Sequence, residues 1–549
     1  MGETNNHNSS GKQLLKGATI LAVAGIVCKV LGAIFRIPLT NWIGAEGMSY
    51  YGVAYPVYSL FLVISSAGIP VAISRMVSSR TALGEYKNAH KTFKVSIYLM
   101  LVLGVLSFAC CFFGAGFIAD KVGNSGAKLS LMAIAPALLF VPIVSSFVGY
   151  YQGQQNMNPT AVSQVIEQLV RVGVGLGLSY VLVKTSLEQA AAGATFGASA
   201  GIIFGLVVVL IYYFVKTKER KALLARSVIR EESNGAIFKE MLKIAIPITL
   251  GSTIMPLMMI IDSAIVMNRM QATGWTVQMS KTMYGLISGF CDPLVNMPIV
   301  FVDAMAISLL PAVTRAFALK RQEELENNIR TGMKTMMVIA FPCAVGLIVL
   351  AKPILYLLYP MRLKEADMAV SILIILSVGV VTLSFMRTLS SALQGIGKVN
   401  LPVIHLFIGA LCKSVITFIL VGIPAIHVNG AAFGSTLAYF VAGILNYASL
   451  KKYTNVSFDV KNVFVKPCVS SLVMGAVTFA TYYLSSKVLD SNTVCVMISM
   501  IVAVIVYFVV IFKTDTLTRE EALLLPAGNK IVMVSDKLHL TVPGRHYKQ

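Results

Sequence analysis

The 549-residue sequence predicts an all-α polytopic membrane protein: about fourteen transmembrane helices, arranged as two pseudo-symmetric six-helix bundles plus two C-terminal helices. Three observations carry that prediction. Only 13% of residues are charged, against about 25% in soluble domains, and mean hydropathy is +0.78. Apolar runs of eighteen or more residues recur from end to end, each long enough to cross about 30 Å of hydrocarbon as a helix. The chain also repeats itself over a long interval. Period-two alternation in segments of about ten residues, the mark of a membrane barrel, is absent.

Taken in order, the apolar runs place spans at 14–37, 50–73, 93–118, 129–150, 161–183, 191–215, 243–267, 282–310, 332–357, 367–391, 401–421, 428–450, 467–486 and 491–512. With residues 1–13 as a cytoplasmic tail, the even-numbered gaps face inward, and so does the tail 513–549. The inward segments then hold well over half of the 45 lysines and arginines, which sets both termini in the cytoplasm of a bacterial cell. The same asymmetry accounts for most of the formal charge of +21, so no nucleic-acid partner is expected. The polar start runs into the first span without a cleavage site, so that span is expected to be retained. Eight cysteines all fall in apolar segments without metal-type spacing and read as packing residues.

The repeat divides the chain. "AISR" at 72–75 returns as "AVTR" at 312–315, and "GEYKNAHKTFK" at 84–94 lies over "EELENNIRTGMK" at 323–334, with Lys94 over Lys334. The Gln152-Gly153 pair of "GYYQGQQNMNP" returns as Gln394-Gly395, and Pro159 as Pro402. One six-span bundle therefore runs from 14 to 215 and a second from 243 to 450. Six is even, so both insert the same way up, related by an axis along the membrane normal. The basic linker 216–242 reads as a surface helix attracted to anionic lipid. Residues 451–512 supply two helices with no repeat partner. The amide-rich stretch 149–159 reads as an inward turn. Its alternative is a cytoplasmic gate, formed with the second copy and with Arg75 and Arg315 at the inner ends of spans two and eight.

Ionisable groups inside spans cost about 2.5–3.5 kcal/mol each at the helix centre on insertion scales, and they mark functional candidates. Lys29 and Arg36 are seven apart in the first span and share a face, which suits an anion; the alternative is snorkelling to the interface. Glu167 and Arg171 stand at ion-pair spacing in span five and read as a structural pair, with Glu167 as a cavity acid the alternative, while Lys413 occupies a similar place in span eleven without such an acid and is a candidate for substrate binding in a cavity. Asp262 in span seven, with Asp292 and Asp303 in span eight, would bind a coupling proton or sodium ion or would balance the basic groups. No cofactor or metal site is expected. No Walker A, HExxH or Gly-rich strand–helix unit is found, so a transporter is expected and not an enzyme.

The stretches "CKVLGAIFRIPLTNWIGAEG" (28–47), "SSAGIPVAISRMVS" (65–78), "YYQGQQNMNPTAVSQVIEQLVRV" (150–172) and "LLPAVTRAFA" (309–318) resemble the MATE-like flippases of the MOP superfamily. Within it they resemble the polysaccharide-biosynthesis branch that holds stage V sporulation protein B and the MurJ-type lipid II flippases. The resemblance covers about residues 14–512. It implies a V-shaped pair of bundles around a cationic cavity, opening alternately to each side. It also implies a polyprenyl-diphosphate-linked oligosaccharide as cargo, lipid II foremost, with Lys29 and Arg36 as its first-span contacts and the last two helices as a lipid groove. The Gram-negative type carries further basic residues in spans two and eight, where "YPVYSLFLVISS" and "CDPLVNMP" have none. Alternatives are a cation-coupled multidrug exporter or a flippase for another cell-surface or spore-envelope polysaccharide. Expected partners are the lipid-linked substrate, membrane lipids and cell-wall synthesis proteins, with the chain itself monomeric.

Overall fold

A computed structural model describes residues 3–228 and 232–517 together with 523, 532–533 and 536–537, with side chains from residue 20 except residue 22. Most of the tail 513–549, the side chains of the tail 1–13 and linker residues 229–231 lie outside the described residues. The described residues are mostly helical and contain no strand. The chain falls into two compact units, 1–289 and 290–549.

In the first unit the helices are α1 (Glu3–Ser66), α2 (Ile69–Ala82), α3 (Tyr86–Phe113), α4 (Ala115–Val122), α5 (Lys128–Ile134), α6 (Ala137–Gly153), α7 (Asn158–Leu182), α8 (Leu187–Val215), α9 (Thr217–Ala225), α10 (Asn234–Ala272) and α11 (Val277–Gly285). The second holds α12 (Asp292–Ala318), α13 (Gln322–Val349), α14 (Ala351–Leu358), α15 (Leu363–Gly395), α16 (Asn400–Val421), α17 (Asn429–Thr454), α18 (Lys466–Val488) and α19 (Asn492–Lys513). Thirteen of the described helical runs are long and apolar enough to cross a membrane. One of them, Val23–Ala82, is 60 residues long, about three times what a single crossing needs. It breaks at Gly44, whose φ of 64° and ψ of −172° are open only to glycine. Its two arms are the first and second expected spans, which brings the number of crossings to fourteen.

The repeat is visible element by element. Tyr86–Phe113 and Gln322–Val349 are both 28 residues, and Ala115–Val122 and Ala351–Leu358 are both eight, at one constant offset of 236 (86 to 322). The turn before them matches too: Glu85 N–H bonds Arg80 O at 2.8 Å, and Arg321 N–H bonds Ala316 O at 3.0 Å. The offset then becomes 242 (158 to 400), because the second unit carries six more residues between α14 and the body of α15. The Gln-Gly pairing at 242 therefore holds. The pairing of "AISR" with "AVTR" at 240 is one helical turn out: α2 and the end of α12 align at 236, so Lys94 corresponds to Arg330 and Arg315 to Ser79. A slip of four residues nearly preserves the 3.6-residue period, so pattern matching does not detect it.

The stretch "GYYQGQQNMNP" ends α6 in a left-handed cap. Gln155 has φ 59°, and Asn156 N–H returns to Tyr151 O at 2.9 Å. Its counterpart has Gly397 at φ 81° and Lys398 N–H on Leu393 O, also at 2.9 Å. Helix pairs in each unit close through small residues. On α8, Gly197 and Gly201 lie so near α7 that a Cβ would stand 2.6 Å from Arg171 O and 2.5 Å from Glu167 O. The two extra helices pack on the second unit: Tyr507 of α19 donates to Val338 O at 2.6 Å, and Asn492 donates to Pro353 O at 3.1 Å. All eight cysteines are free thiols.

Candidate functional site

In the first unit, one face of α1 lies along α7. Cys28 Sγ reaches Gln164 O at 3.5 Å, Gly32 faces Gln168, and Phe35 seats in the space left by Gly175. Residues 28, 32 and 35 follow the helical period, so Lys29 and Arg36 fall together on the adjoining face. Lys29 is exposed and Arg36 is half-buried.

Arg36 points toward the second span. Its guanidinium lies 5.8 Å from the Tyr51 ring centroid and donates to Ser288 O at 3.4 Å. Ser288 belongs to a π-helical segment, Leu286–Cys291, whose wider turn offers carbonyls to outside donors; Thr40 takes the next one, Gly289 O, at 3.3 Å. Tyr51, Tyr55 and Tyr58 stand at i, i+4 and i+7, so they share a face. Tyr51 and Tyr55 stack with centroids 5.7 Å apart.

Arg171 closes the cluster from α7. It donates to Tyr55 OH at 3.2 Å and to Tyr51 OH at 3.1 Å, and its charge sits 5.0 Å from the Tyr55 ring centroid. Tyr51 thus has one arginine against its ring and another on its hydroxyl. The described residues show no ion pair between Glu167 and Arg171. The i,i+4 spacing permits such a pair, but the tyrosine hydroxyls lie where the guanidinium reaches, and Glu167 stays half-buried beside Gly205. Arg171 was legible in the sequence only as half of a neutral pair; the tyrosine spacing was the signal for its true partners.

The second unit carries the matching cation. At the offset of 242, Lys413 corresponds to Arg171 and Gly409 to Glu167, so the cation is kept and the acid is not. Lys413 is half-buried, with its backbone carbonyl near Gly434. Asp303 pairs with Arg387 of α15 at 3.7 Å, which places its balancing charge inside its own unit. Asp292 is half-buried at the start of α12, where its carbonyl accepts from Asn296 at 2.8 Å. Asp262 is half-buried on α10 in the first unit. Among the described residues no group of three His, Cys, Asp or Glu side chains could hold a metal ion.

The remaining candidates lie at the helix ends. Arg75, Arg315 and Gln394 are exposed, and Gln152 is half-buried. The carbonyls of Gln152 and Gln394 accept equivalent turn bonds, both at 3.0 Å, from Gln155 and Gly397. Sequence reading missed Arg80 nearby. It is buried and binds Glu232 at 2.5 Å and Glu240 at 2.8 Å, while Lys91 Nζ takes Glu232 O. Those partners are some 150 residues away along the chain, so no local pattern marks them.

The family profile described as polysaccharide biosynthesis protein matches residues 14–317, and the MatE profile matches 280–419. The chain is 29% identical over 481 residues to lipid II flippase MurJ of Bacillus subtilis (strain 168), covering 85% of this chain and 87% of that one. It is 27% identical over 450 residues to stage V sporulation protein B of the same organism, covering 81% and 85%. Two solved structures share the fold. Lipid II flippase MurJ in an inward closed conformation has a TM-score of 0.65 at 18% identity over 90% of this chain and 99% of that one. An inward-facing multidrug resistance MATE transporter has a TM-score of 0.68 at 16% identity over 78% and 94%. The chain therefore belongs to the polysaccharide biosynthesis protein family, in the MATE-like MOP superfamily of membrane flippases and transporters.

Proposed function

We propose that this protein flips a polyprenyl-diphosphate-linked oligosaccharide, lipid II foremost, from the inner to the outer leaflet of a bacterial cell membrane by alternating access. The observation that carries the reading is the pair of arginines on Tyr51. Arg36 and Arg171 are cations at membrane depth whose hydrogen bonds go to neutral oxygens, with no ion pair to a carboxylate among the described residues. A hydrated diphosphate sugar cannot cross hydrocarbon, and charge-assisted bonds from Lys29, Arg36 and Arg171 would replace its water, with Lys413 the corresponding substrate-binding candidate of the second unit. The prenyl chain would stay in lipid. The names of the flippase relatives support the cargo class, and the lysine and arginine asymmetry of the loops supports cytoplasmic termini.

A multidrug exporter of the MATE type would want acidic groups facing an aromatic cavity. Here the tyrosine cluster is occupied by arginines, and Asp303 is held by Arg387. Asp262 and Asp292 remain the candidates for proton or sodium coupling. The test is depletion in a cell lacking redundant flippases, following labelled lipid II across the membrane. Inner-leaflet accumulation, rescued by the wild type but not by Lys29→Ala, Arg36→Ala or Arg171→Gln, is the expected result. Unchanged translocation on depletion would remove lipid II as the cargo.

A further inference from the structure

The turn at 149–159 leaves part of its composition unexplained. Its hydrogen bonds are reproduced in the second unit by a stretch that has Ala392, Leu393, Ile396 and Lys398 where the first has Tyr150, Tyr151, Gln154 and Asn156. The repeat is an internal control: the turn does not need two tyrosines and two amides.

In the first unit those four residues line an open cleft at the end of the bundle that carries the basic linker. Thr81, Tyr86, Tyr212, Lys216, Glu219 and Arg220 add polar groups to its walls, Ala89, Leu223 and Leu224 add apolar ones, and the cleft with the open solvent at its mouth spans about 600 Å³. Two cations and one carboxylate face it, and the carboxylate is already taken: Lys216 Nζ sits 2.6 Å from Glu219 Oε1. Arg220 is braced by Tyr213 O at 2.7 Å and lies 3.6 Å from the Tyr213 ring centroid. Asn156 Nδ2 donates to Tyr212 OH at 2.7 Å, which leaves the Tyr212 proton to donate elsewhere.

The second, independent observation is unpartnered polarity. Tyr151 and Thr81 line the cleft; Tyr151 is 4% exposed, and its buried hydroxyl and the buried Thr81 Oγ1 have no hydrogen bond to any described residue. His90 Nδ1 is also buried and unpartnered, with its ring 6.0 Å from that of Tyr150. Buried polar groups are paired in the great majority of cases, and two orphans on residues that line one cleft, Tyr151 and Thr81, point to a ligand.

We propose that this cleft binds a phosphate group carried on a small headgroup, with Arg220 as the charge partner and the Tyr151 and Tyr212 hydroxyls as donors. Phosphate oxygens accept from all three, and the fixed cations oppose an ammonium ligand. The same chemistry is offered by an anionic lipid headgroup at the membrane surface or by a soluble phosphate ester. The site lies wholly in the first unit and stands whether or not lipid II is the cargo.

The test uses the full chain in nanodiscs. One arm titrates inorganic phosphate and glycerol phosphate calorimetrically into discs of phosphatidylcholine. The other compares phosphatidylglycerol retention by native mass spectrometry in mixed discs. Tyr151→Phe and Arg220→Gln are each expected to weaken binding about tenfold in whichever arm binds, while Lys364→Gln on the second unit leaves it unchanged. Binding in the first arm assigns a soluble ester, and binding in the second alone assigns lipid. Absence of binding in both arms, or binding insensitive to both variants, overturns the proposal. Choline binding in place of phosphate overturns it as well.

Discussion

Arg171 shows how a residue's role depends on what surrounds it. Hydrogen bonds to a charged group contribute about 1.5–3 kcal/mol, and Arg171 makes two, to Tyr51 and Tyr55. Arg171→Gln should destabilise the protein by about 2 kcal/mol in detergent unfolding and lower flipping at least tenfold. Glu167→Gln should change stability by less than about 1 kcal/mol, because it breaks no ion pair. Equal losses from both variants would restore the paired reading of Glu167 and Arg171. The spacing of these residues, and of Lys29 with Arg36, was legible in the sequence. Their contacts were not, because helical spacing fixes which side chains share a face and leaves open which neighbouring helix that face meets.

Among the elements, α7 and α8 depend on close approach. Gly197→Leu or Gly201→Leu would drive a side chain into the carbonyl row of α7, at an expected cost of about 1–3 kcal/mol, read as lower thermal stability. Gly251→Ala on α10, where nothing stands within 4 Å, should be neutral or slightly stabilising. The left-handed caps separate in the same way. Gln155→Gly relieves a positive φ and should be tolerated, whereas Gly397→Val should cost about 1–2 kcal/mol. The linker behaves as a docked element: Val228 N–H bonds Gly84 O at 3.0 Å, and Arg80 holds Glu232 and Glu240. Arg80→Ala should raise hydrogen exchange across α9 and the start of α10 while leaving α16 and α17 protected. The linker's charge was plain in the sequence, but its attachment is an acid-to-arginine clasp that composition conceals under excess lysine and arginine.

For the whole molecule, the proposed orientation is the quantity to measure. In a cysteine-free background, Lys364→Cys should react with an impermeant maleimide added to intact cells, and Lys320→Cys only after permeabilisation. The reverse pattern would invert the topology and with it the proposed direction of flipping. The two units also differ in a way their common ancestry of pattern does not show. The cation at Arg171 and Lys413 is kept in both, whereas Tyr150 and Tyr151, which line the cleft of the first unit, are matched by Ala392 and Leu393 in the second.

The sequence by itself determined the all-helical class, the crossings, the twofold repeat and the terminal turns. Each depends on hydropathy, period or backbone preference, which are properties of residues near one another along the chain. Only the tertiary structure decided that Arg171 binds tyrosines, that the first half of the repeat runs at an offset of 236, and that Tyr151 faces a cleft beside Arg220. Those facts join positions tens to hundreds of residues apart. A helix admits several faces and a four-residue slip at little change in pattern, and packing in three dimensions selects among them.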